Sequence, residues 1–189
     1  MTNKPMLSVE RESYPERRKK ETNAARDLAL SSLSYDPDSG EFRWLSEGKN
    51  TRGIGTIAGY LHPSGYRYIK IGQVRFSCQR LAWLFHTGGW PKENMDHINM
   101  IRSDNRIVNL REATNSQNNF NSPMKPNNTS GFKGVSRSAR DGKYKAQISA
   151  HGKRILIGVF NDAESAANAY DAEALRLHGE YARLNGVKP

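Results

Sequence analysis

A carboxylate, an imidazole and a run of amides lie close together in the middle of the chain. The stretch DHINMIRSDNRIVNLREATNSQNN, residues 96–119, begins with Asp96 and His97 and is rich in asparagine. A folded asparagine loses conformational freedom and is costly to desolvate unless its amide is hydrogen-bonded. Such a run therefore indicates either a site or a set of well-bonded turns.

These residue types fit metal-assisted hydrolysis of a phosphodiester bond. That reaction needs a base that activates water and a cation that neutralises the phosphate and the leaving oxygen. Asp96 and Asn118 can supply the oxygen ligands that Mg²⁺ prefers. His97, with an ordinary pKa of about 6.5, can act as the base near neutral pH. Asn109 can either take the other ring nitrogen of the imidazole or pin the loop.

The elements predicted around these residues can bring them together. One strand is predicted to end at Asp96-His97, a second strand to cover Leu110–Ala113, and a helix to begin at about Ser116. A hairpin followed by a helix can place Asp96 beside Asn118, although 22 residues separate them.

An alternative interpretation of the stretch is a set of Asx-turns around a hairpin, with His97 as a satisfied core residue. Four asparagines taken singly fit that interpretation better than a site: Asn99, Asn105, Asn115 and Asn119. The remaining histidines are isolated and are interpreted as structural or surface residues: His62, His86, His151 and His178.

This part of the chain resembles the HNH nucleases, in their phage and intron homing-endonuclease branch. The resemblance rests on Met95-Asp96-His97-Ile98-Asn99, Asp104-Asn105-Arg106, Asn109-Leu110-Arg111, Thr114 and Gln117-Asn118, and it extends upstream to about Leu33 through YDPDSGEFRW, GYRYI and RLAW. It implies a ββα-metal fold in which Asp96 and Asn118 are the metal ligands, His97 is the base and Asn109 is the orienting asparagine. The implied cofactor is Mg²⁺ or another divalent cation such as Mn²⁺.

One position departs from the family pattern. The family usually has a histidine before the arginine of RLAW, and here that residue is Gln79. If that histidine supports the fold or a phosphate, glutamine can replace it as a hydrogen-bond donor. If it assists the chemistry, activity falls or fails. The first alternative is favoured because the other core positions of the motif are present.

The last third of the chain predicts a different unit. A helix is predicted from Asp162 to about His178, and Asn161 with Glu164 resembles a capping box at its start. Three antiparallel strands are predicted before it, in KGVSRSA, KYKAQISA and KRILIGVF.

Charge is segregated within this unit. Residues 126–160 carry seven Lys/Arg and one acid, whereas residues 161–189 carry three bases and five acids. The sheet is therefore basic and the helix acidic. Strand alternation puts Lys143, Lys145, Gln147 and Ser149 on one face and Tyr144, Ala146, Ile148 and Ala150 on the face that the helix covers. An open, basic, hydrogen-bonding face fits the major groove of DNA.

This unit resembles the APETALA/ethylene-response-factor DNA-binding domain. The matching residues are GFKGV (131–135), GKYKAQI (142–148), GVF (158–160), the helix AESAANAYDAEALRLHGEYA and the closing Leu184-Asn185. The resemblance implies a sheet that reads the major groove, with Tyr144 where the family often has tryptophan. By position in this pattern and by charge, the predicted DNA-binding residues are Arg80, Arg137, Arg140, Lys143, Lys145, Gln147, Ser149, Lys153 and Arg154.

Composition restricts the class of protein. The 189 residues allow one medium domain or two small ones, and the net charge of +10 favours a polyanionic partner. The single cysteine, Cys78, excludes an internal disulfide framework and a Cys-pair zinc site. No apolar run is long enough to span a bilayer and the start lacks a signal-peptide pattern, which predicts a cytoplasmic protein of a bacterial or phage-infected cell that does not associate with membranes.

The sequence thus predicts an α+β protein with four segments. These are a flexible arm or marginal helix (1–28), an HNH ββα-metal nuclease domain with upstream short strands (29–120), a linker (121–130), and a three-stranded antiparallel sheet packed on one helix (131–189). The predicted function is metal-dependent cleavage of double-stranded DNA by a monomer or transient dimer. The alternatives are a non-catalytic DNA-binding protein or regulator with an inactive scaffold, and an RNA-binding module, which the lack of an exposed aromatic pair on the sheet disfavours.

Overall fold

Small antiparallel sheets and four helices make a mixed α/β fold in the residues that the computed structural model describes, which are 21–46, 53–150 and 152–186. These residues divide into two units. The first runs to Trp90 and includes Asn105–Val108, and the second contains Pro91–Asp104 and the residues from Asn109 onward.

The strands are β1 (Leu33–Tyr35), β2 (Phe42–Trp44), β3 (Tyr60–Leu61), β4 (Arg67–Ile71), β5 (Val74–Ser77), β6 (Asn94–His97), β7 (Leu110–Ala113), β8 (Val135–Arg137), β9 (Tyr144–Ala150) and β10 (Lys153–Phe160). The helices are α1 (Asn23–Ser32), α2 (Cys78–Thr87), α3 (Asn115–Phe120) and α4 (Ala163–His178), with 3-10 turns at Ile107–Asn109 and Gly179–Tyr181.

The first unit packs α1 and α2 with two small sheets, β1-β2 and β3-β4-β5. Its core contains an aromatic group in which Tyr35 stacks on Phe42 at 4.7 Å between ring centroids and Phe85 meets Phe42 edge-on at 5.7 Å. The helix predicted from RLAWLF is present as α2, and it ends at Gly88, whose φ of 78° is the left-handed conformation that favours glycine. Cys78 is buried in this core, and burial raises the pKa of its thiol to about 12.

The last part of the stretch predicted as a flexible arm or a marginal helix (1–28) is helical, because α1 begins at Asn23. Thr22 caps α1 by accepting a hydrogen bond from the Ala25 amide at 3.1 Å, and Ala25 and Ala29 are buried. Because the buried side chains are only alanines, the helix shows no strong apolar stripe in the sequence. Residues 1–20 of the predicted arm lie outside the described residues.

The second unit begins with the antiparallel hairpin β6-β7 and the short helix α3. It continues into a sheet of order β10-β9-β8, with α4 packed on one face. The second hairpin strand and the three C-terminal strands are present where the sequence predicts them. Alternation in β9 is also as predicted, because Ala146, Ile148 and Ala150 are buried while Lys145 and Ser149 are exposed.

The core under α4 explains the predicted apolar face of that helix. Ala166, Ala167, Tyr170 and Ala174 are buried there, against Val135 and the buried side chains of β9. The helix begins at a different cap from the one predicted, because Asp162 rather than Asn161 accepts the hydrogen bond, from the Ser165 amide at 2.7 Å.

We call the described residues from 131 onward the sheet–helix part, and a hydrogen-bonded hub at Asn185 connects its first residues to its helix. The Asn185 amide donates to both carboxylate oxygens of Asp171 at 3.0 Å, and its side chain accepts from the Lys133 amide at 2.6 Å. The hub therefore ties the segment before β8 to the middle of α4. Each of the sequence elements at residues 131–135, 166–171 and 184–185 therefore contributes one residue to the same hydrogen-bonded group.

Within the described ranges, no helix is both long enough and apolar enough to cross a bilayer.

Candidate active site

The β6-β7 hairpin carries the predicted ionisable residues at the end of its first strand. Its register pairs Asp96 with Arg111 and His97 with Leu110. Alternation brings an acidic and a basic side chain to the same side of the hairpin at this pair. Both Asp96 and His97 are buried, at 5% and 4% exposure.

A capping box fixes where α3 starts and therefore where Asn118 lies. The Thr114 hydroxyl accepts from the Gln117 amide at 3.3 Å, and the Gln117 side chain accepts from the Thr114 amide at 2.8 Å. The helix consequently begins one residue earlier than predicted, at Asn115. It ends at Asn121, one turn beyond Asn118 and on the same side of the helix.

Two side chains, those of Arg111 and Asn121, donate hydrogen bonds to the Asp96 carboxylate within the described residues. Arg111 donates to Oδ2 from Nε at 3.0 Å and from Nη2 at 2.9 Å. The Asn121 side chain donates to Oδ1 and Oδ2 at 3.1 Å each, and also to the His97 carbonyl at 3.0 Å. A buried charge is costly unless it is paired and hydrogen-bonded, and these donors provide that compensation.

Asn109 acts on the loop between the two strands. Its side-chain oxygen accepts from the Asn99 amide at 2.9 Å, and its side-chain nitrogen donates to the Asp104 carbonyl at 2.9 Å. Of the two predicted alternatives, this geometry is that of the loop pin. It holds a strained connection, because Met100 adopts a φ of 62°.

The backbone that carries the His97 imidazole is held from two directions. Its carbonyl accepts from the Asn121 side chain at 3.0 Å and from the Met100 amide at 2.9 Å. The next amide, of Ile98, donates to the Asn109 carbonyl at 2.9 Å. The backbone position of His97 is therefore set by the end of α3 and by the pinned loop.

Asn118 differs from the neighbouring polar residues. Its side chain is exposed, and it makes no hydrogen bond to any residue within the described ranges. Among the described residues, Asp96 Oδ1 accepts a hydrogen bond from Asn121 alone, so it retains acceptor capacity. A carboxylate oxygen and an amide oxygen are suitable donors for a hard divalent cation that keeps several waters. The described residues contain no group of three or more His, Cys, Asp or Glu suited to a metal, so a site here would depend on this mixed pair.

Two residues at this site were given no role by the sequence. Arg111 lies within the recognised motif, but its partner is apparent only from the hairpin register. Asn121 was predicted to begin the linker, whereas it is 7% exposed and contacts Asp96. The signal that could have identified Asn121 is its spacing of three residues from Asn118, which puts both on one side of a helix.

Among the asparagines that were interpreted as turn residues, Asn99 forms such a turn. The Asn99 side chain accepts from the Ile101 amide at 2.9 Å and donates to Asp104 at 2.7 Å. Asn115 accepts from the Asn94 side chain at 2.7 Å, and Asn105 is 1% exposed.

Arg80 is not presented to DNA, so its predicted role is wrong. It is 6% exposed and forms an ion pair with Glu21, with Nη2 and Oε2 2.7 Å apart. A buried guanidinium already paired with a carboxylate has no access to a phosphate. The adjacent Gln79 is also buried, and its Oε1 has no hydrogen-bond partner within the described residues.

Four of the other predicted DNA-binding residues lie on the open face of the β10-β9-β8 sheet: Lys145, Gln147, Ser149 and Arg154. Arg137 and Lys153 pair with Tyr144 and Ala150, on the side of the sheet where α4 packs. Register places Lys145 between Ser136 and Val159, Gln147 beside Leu156, and Ser149 beside Arg154. The remaining basic residues are exposed in β8, β10 and the adjoining turns: Arg137, Arg140, Lys143 and Lys153. Leu156, which the sequence analysis did not single out, is 55% exposed on this face.

The sheet–helix part also contacts α3 of the same unit. The Lys133 side chain donates to the carbonyls of Phe120 and Ser122, the latter at 2.9 Å. The ring of Phe120 stacks on His178 with 3.6 Å between ring centroids. Burial, and secondly the charge of Arg183, lower the pKa of Lys133 to about 8.

An HNH endonuclease family model matches residues 77–120, which include α2, the hairpin and α3. The chain therefore carries an HNH endonuclease domain, and the class of protein that this domain defines is a nuclease enzyme. HNH nucleases in general act on DNA and use divalent metal ions.

Among particular relatives, the chain is similar to the uncharacterized HNH endonuclease L560 of Acanthamoeba polyphaga mimivirus. The two are 36% identical over 130 residues, which are 68% of this chain and 66% of that protein. This likeness agrees with the predicted nuclease resemblance.

Two plant proteins are similar over a shorter stretch. The dehydration-responsive element-binding protein 1J of Oryza sativa subsp. japonica is 40% identical over 57 residues, and the ethylene-responsive transcription factor ERF084 of Arabidopsis thaliana is 46% identical over 66 residues. These matches cover 29% and 34% of this chain, and 24% and 25% of the plant proteins. The DNA-binding role of the sheet–helix part stays a prediction.

Proposed function

We propose that this chain is a homing-type endonuclease that hydrolyses phosphodiester bonds in duplex DNA, with a ββα-metal site and a sheet that reads the DNA. It acts as a monomer or as a transient dimer on DNA. The observation that carries the proposal is the exposed, uncommitted amide of Asn118, one helical turn from the residue that holds Asp96 and fixes the backbone of His97.

In this proposal His97 is the general base. It takes a proton from water as the water oxygen attacks phosphorus, and the bond from phosphorus to the 3′ oxygen then breaks. Asn109 keeps the loop after His97 in place, and Asn121 holds the His97 carbonyl. The backbone of His97 is thus held in position before the DNA arrives, which reduces the entropic cost of bringing its imidazole to the reactive geometry.

Asp96 and Asn118 are the proposed ligands of the cation, which we take to be Mg²⁺, with Mn²⁺ as a substitute. A divalent cation bound there supplies positive charge that neutralises the phosphate and the leaving oxygen. Arg111 and Asn121 hold the Asp96 carboxylate so that Oδ1 keeps room for a further partner.

The sheet–helix part is the proposed targeting element. Its open face combines lysines and arginines for phosphates with the amide of Gln147 for a base edge. Leu156 lies next to Gln147 on β10 and offers an apolar contact for a thymine methyl group. Together the pair favours an A·T base pair at this point of the recognition sequence.

The test is strand scission of supercoiled DNA that carries the flanking sequence of the gene. Wild-type protein is expected to convert it to the nicked or linear form with Mg²⁺ or Mn²⁺ but not with EDTA. His97→Ala should lower the cleavage rate by about 100-fold or more, on the scale of a lost general base. Gel-shift affinity for the same DNA in EDTA should be unchanged.

Matched controls come from residues of the same types outside the site. Asn118→Ala is expected to lose cleavage, whereas Asn119→Ala, its exposed neighbour on α3, should not. His86→Ala, on the exposed end of α2, should also cleave normally. Tight DNA binding without cleavage under any metal would overturn the nuclease proposal and favour a non-catalytic DNA-binding protein, with Gln79 as the first residue to exchange for histidine.

A further inference from the structure

Arg111 links the Asp96 carboxylate to the C-terminal 3-10 turn. While Nε and Nη2 donate to Asp96, Nη1 donates to the Glu180 carbonyl at 2.6 Å. The guanidinium lies over the ring of Tyr181, with its central carbon 4.2 Å from the ring centroid. We call Arg111, Glu180 and Tyr181 the arginine bridge.

The far side of the bridge is also fixed. The Tyr181 hydroxyl donates to the Glu112 carbonyl at 2.9 Å, so the 3-10 turn is attached to β7 at two consecutive residues, Arg111 and Glu112. The Arg111 side chain is 12% exposed and that of Asp96 is 6% exposed. A guanidinium that donates to two fixed partners and lies with one face on an aromatic ring has little rotational freedom.

An independent set of contacts holds the helix that carries Asn118. Lys133 donates to carbonyls at the C-terminal end of α3, and His178 stacks on Phe120. Lys133, His178 and Tyr181 all belong to the sheet–helix part. That part therefore supports the hairpin strand opposite Asp96 and, separately, the end of α3.

We propose that the sheet–helix part is a component of the nuclease site, in which Tyr181 is a positioning residue that sets the affinity for the cation through Arg111 and Asp96. The inference rests on the proposed function and deepens it. The part that reads DNA is then also required to assemble the cleavage site. Partners that orient a metal ligand without touching the metal typically change metal affinity by about 10–100-fold.

The experiment compares Tyr181→Leu with Tyr181→Phe in the full chain. Leucine removes the aromatic face under the guanidinium, whereas phenylalanine keeps that face and loses only the hydroxyl bond to Glu112. The first readout is the dissociation constant for Mn²⁺, measured by electron paramagnetic resonance without DNA. The second is amide hydrogen exchange of β6 and β7, and the third is DNA affinity in EDTA.

Tyr181→Leu is expected to weaken Mn²⁺ binding by roughly 10-fold or more, and to speed exchange at the Asp96 and Arg111 amides. DNA affinity should be unchanged, and Tyr181→Phe should restore most of the Mn²⁺ affinity. Unchanged Mn²⁺ binding and unchanged hairpin exchange in Tyr181→Leu would overturn the inference.

The two proposals fail in different ways. If wild-type protein binds no Mn²⁺, the metal-dependent nuclease is wrong, and with it the link to cation affinity. The exchange measurement then still decides whether Tyr181 positions the hairpin. If Mn²⁺ binds equally to wild type and Tyr181→Leu, the nuclease proposal stands and the bridge has no role in it.

Discussion

Asp96 shows how a single buried charge organises its surroundings. Its carboxylate is 5% exposed, and Arg111 and Asn121 supply every hydrogen bond that it makes with the described residues. A buried ion pair adds little net stability, but removal of one partner is strongly destabilising because an uncompensated charge remains. The residues around Asp96 should therefore be sensitive to charge as well as to size.

Exchanging Asn121 tests this sensitivity. Asn121→Ala removes donors to Asp96 and to the His97 carbonyl and is expected to lower the free energy of unfolding by roughly 1–3 kcal/mol. Asn121→Asp should lower it further, because a second carboxylate then faces Asp96. Urea denaturation measures both, and Asn119→Asp, which is exposed on the same helix, should change little. Equal stability of Asn121→Asp and Asn119→Asp would contradict the described geometry.

At the residue scale, local motifs could be predicted from the sequence but distant partners could not. Residue type and spacing single out Asp96, His97, Asn109 and Asn118 as candidates, and their roles stay predictions. Arg80 was wrongly assigned because a guanidinium is usually exposed, and its partner Glu21 is 59 residues away. A lone sequence gives no measure of such a pairing.

At the scale of elements, alternation and turn residues predicted the C-terminal strands well. Asp141-Gly142 lies in the turn between β8 and β9, and Gly152 lies in the turn between β9 and β10. The register of these two hairpins buries one face of the sheet under α4. The sequence left a flexible arm and a marginal helix open for the region of α1, because only alanines are buried on that helix. The periodicity of apolar residues predicts a helix only where the buried side chains are large enough to make one face of the helix clearly more apolar than the other.

Gly134 provides a test of how closely α4 approaches the sheet. A Cβ at this residue would lie 2.1 Å from ring carbons of Tyr170, and its φ is +75°. Gly134→Ala should therefore lower the stability of the sheet–helix part by about 3 kcal/mol or more, combining overpacking with backbone strain. Thermal unfolding followed by circular dichroism measures the loss.

Gly131→Ala is the matched control for that substitution. Gly131 has nearly the same φ, +79°, but a Cβ there would have no described atom within 4 Å. Its expected cost is only the backbone strain, roughly 1 kcal/mol. If the two variants unfold alike, Tyr170 does not pack against Gly134 as described.

At the scale of the whole molecule, charge is distributed unevenly over the second unit. The open sheet face carries basic side chains, whereas α4 begins with the capping Asp162 and Glu164 and forms its own ion pair, Arg176 with Glu173 at 2.6 Å. Phosphate contacts made by one face only should give a salt dependence that responds to that face alone.

Lys145→Gln and Arg176→Gln separate the two faces. Each phosphate contact contributes about 0.9 to the slope of log K against log salt for B-DNA. Lys145→Gln is therefore expected to reduce the slope by about 1, and Arg176→Gln to leave it unchanged. The slope is measured by fluorescence anisotropy with duplex DNA, at salt concentrations from about 50 to about 300 mM. A reduced slope for Arg176→Gln alone would place DNA on the opposite side of the domain.

The arginine bridge has a consequence for the order in which the molecule matures. Tyr181 follows Asp96 by 85 residues, so the hairpin leaves the ribosome before its support has been translated. At about 5–20 residues per second, that interval lasts roughly 4–17 s. During it the nascent chain has the proposed base, His97, but the proposed metal ligand, Asp96, lacks its support. In the proposed nuclease, the order of synthesis therefore delays assembly of the site until most of the sheet–helix part has been translated.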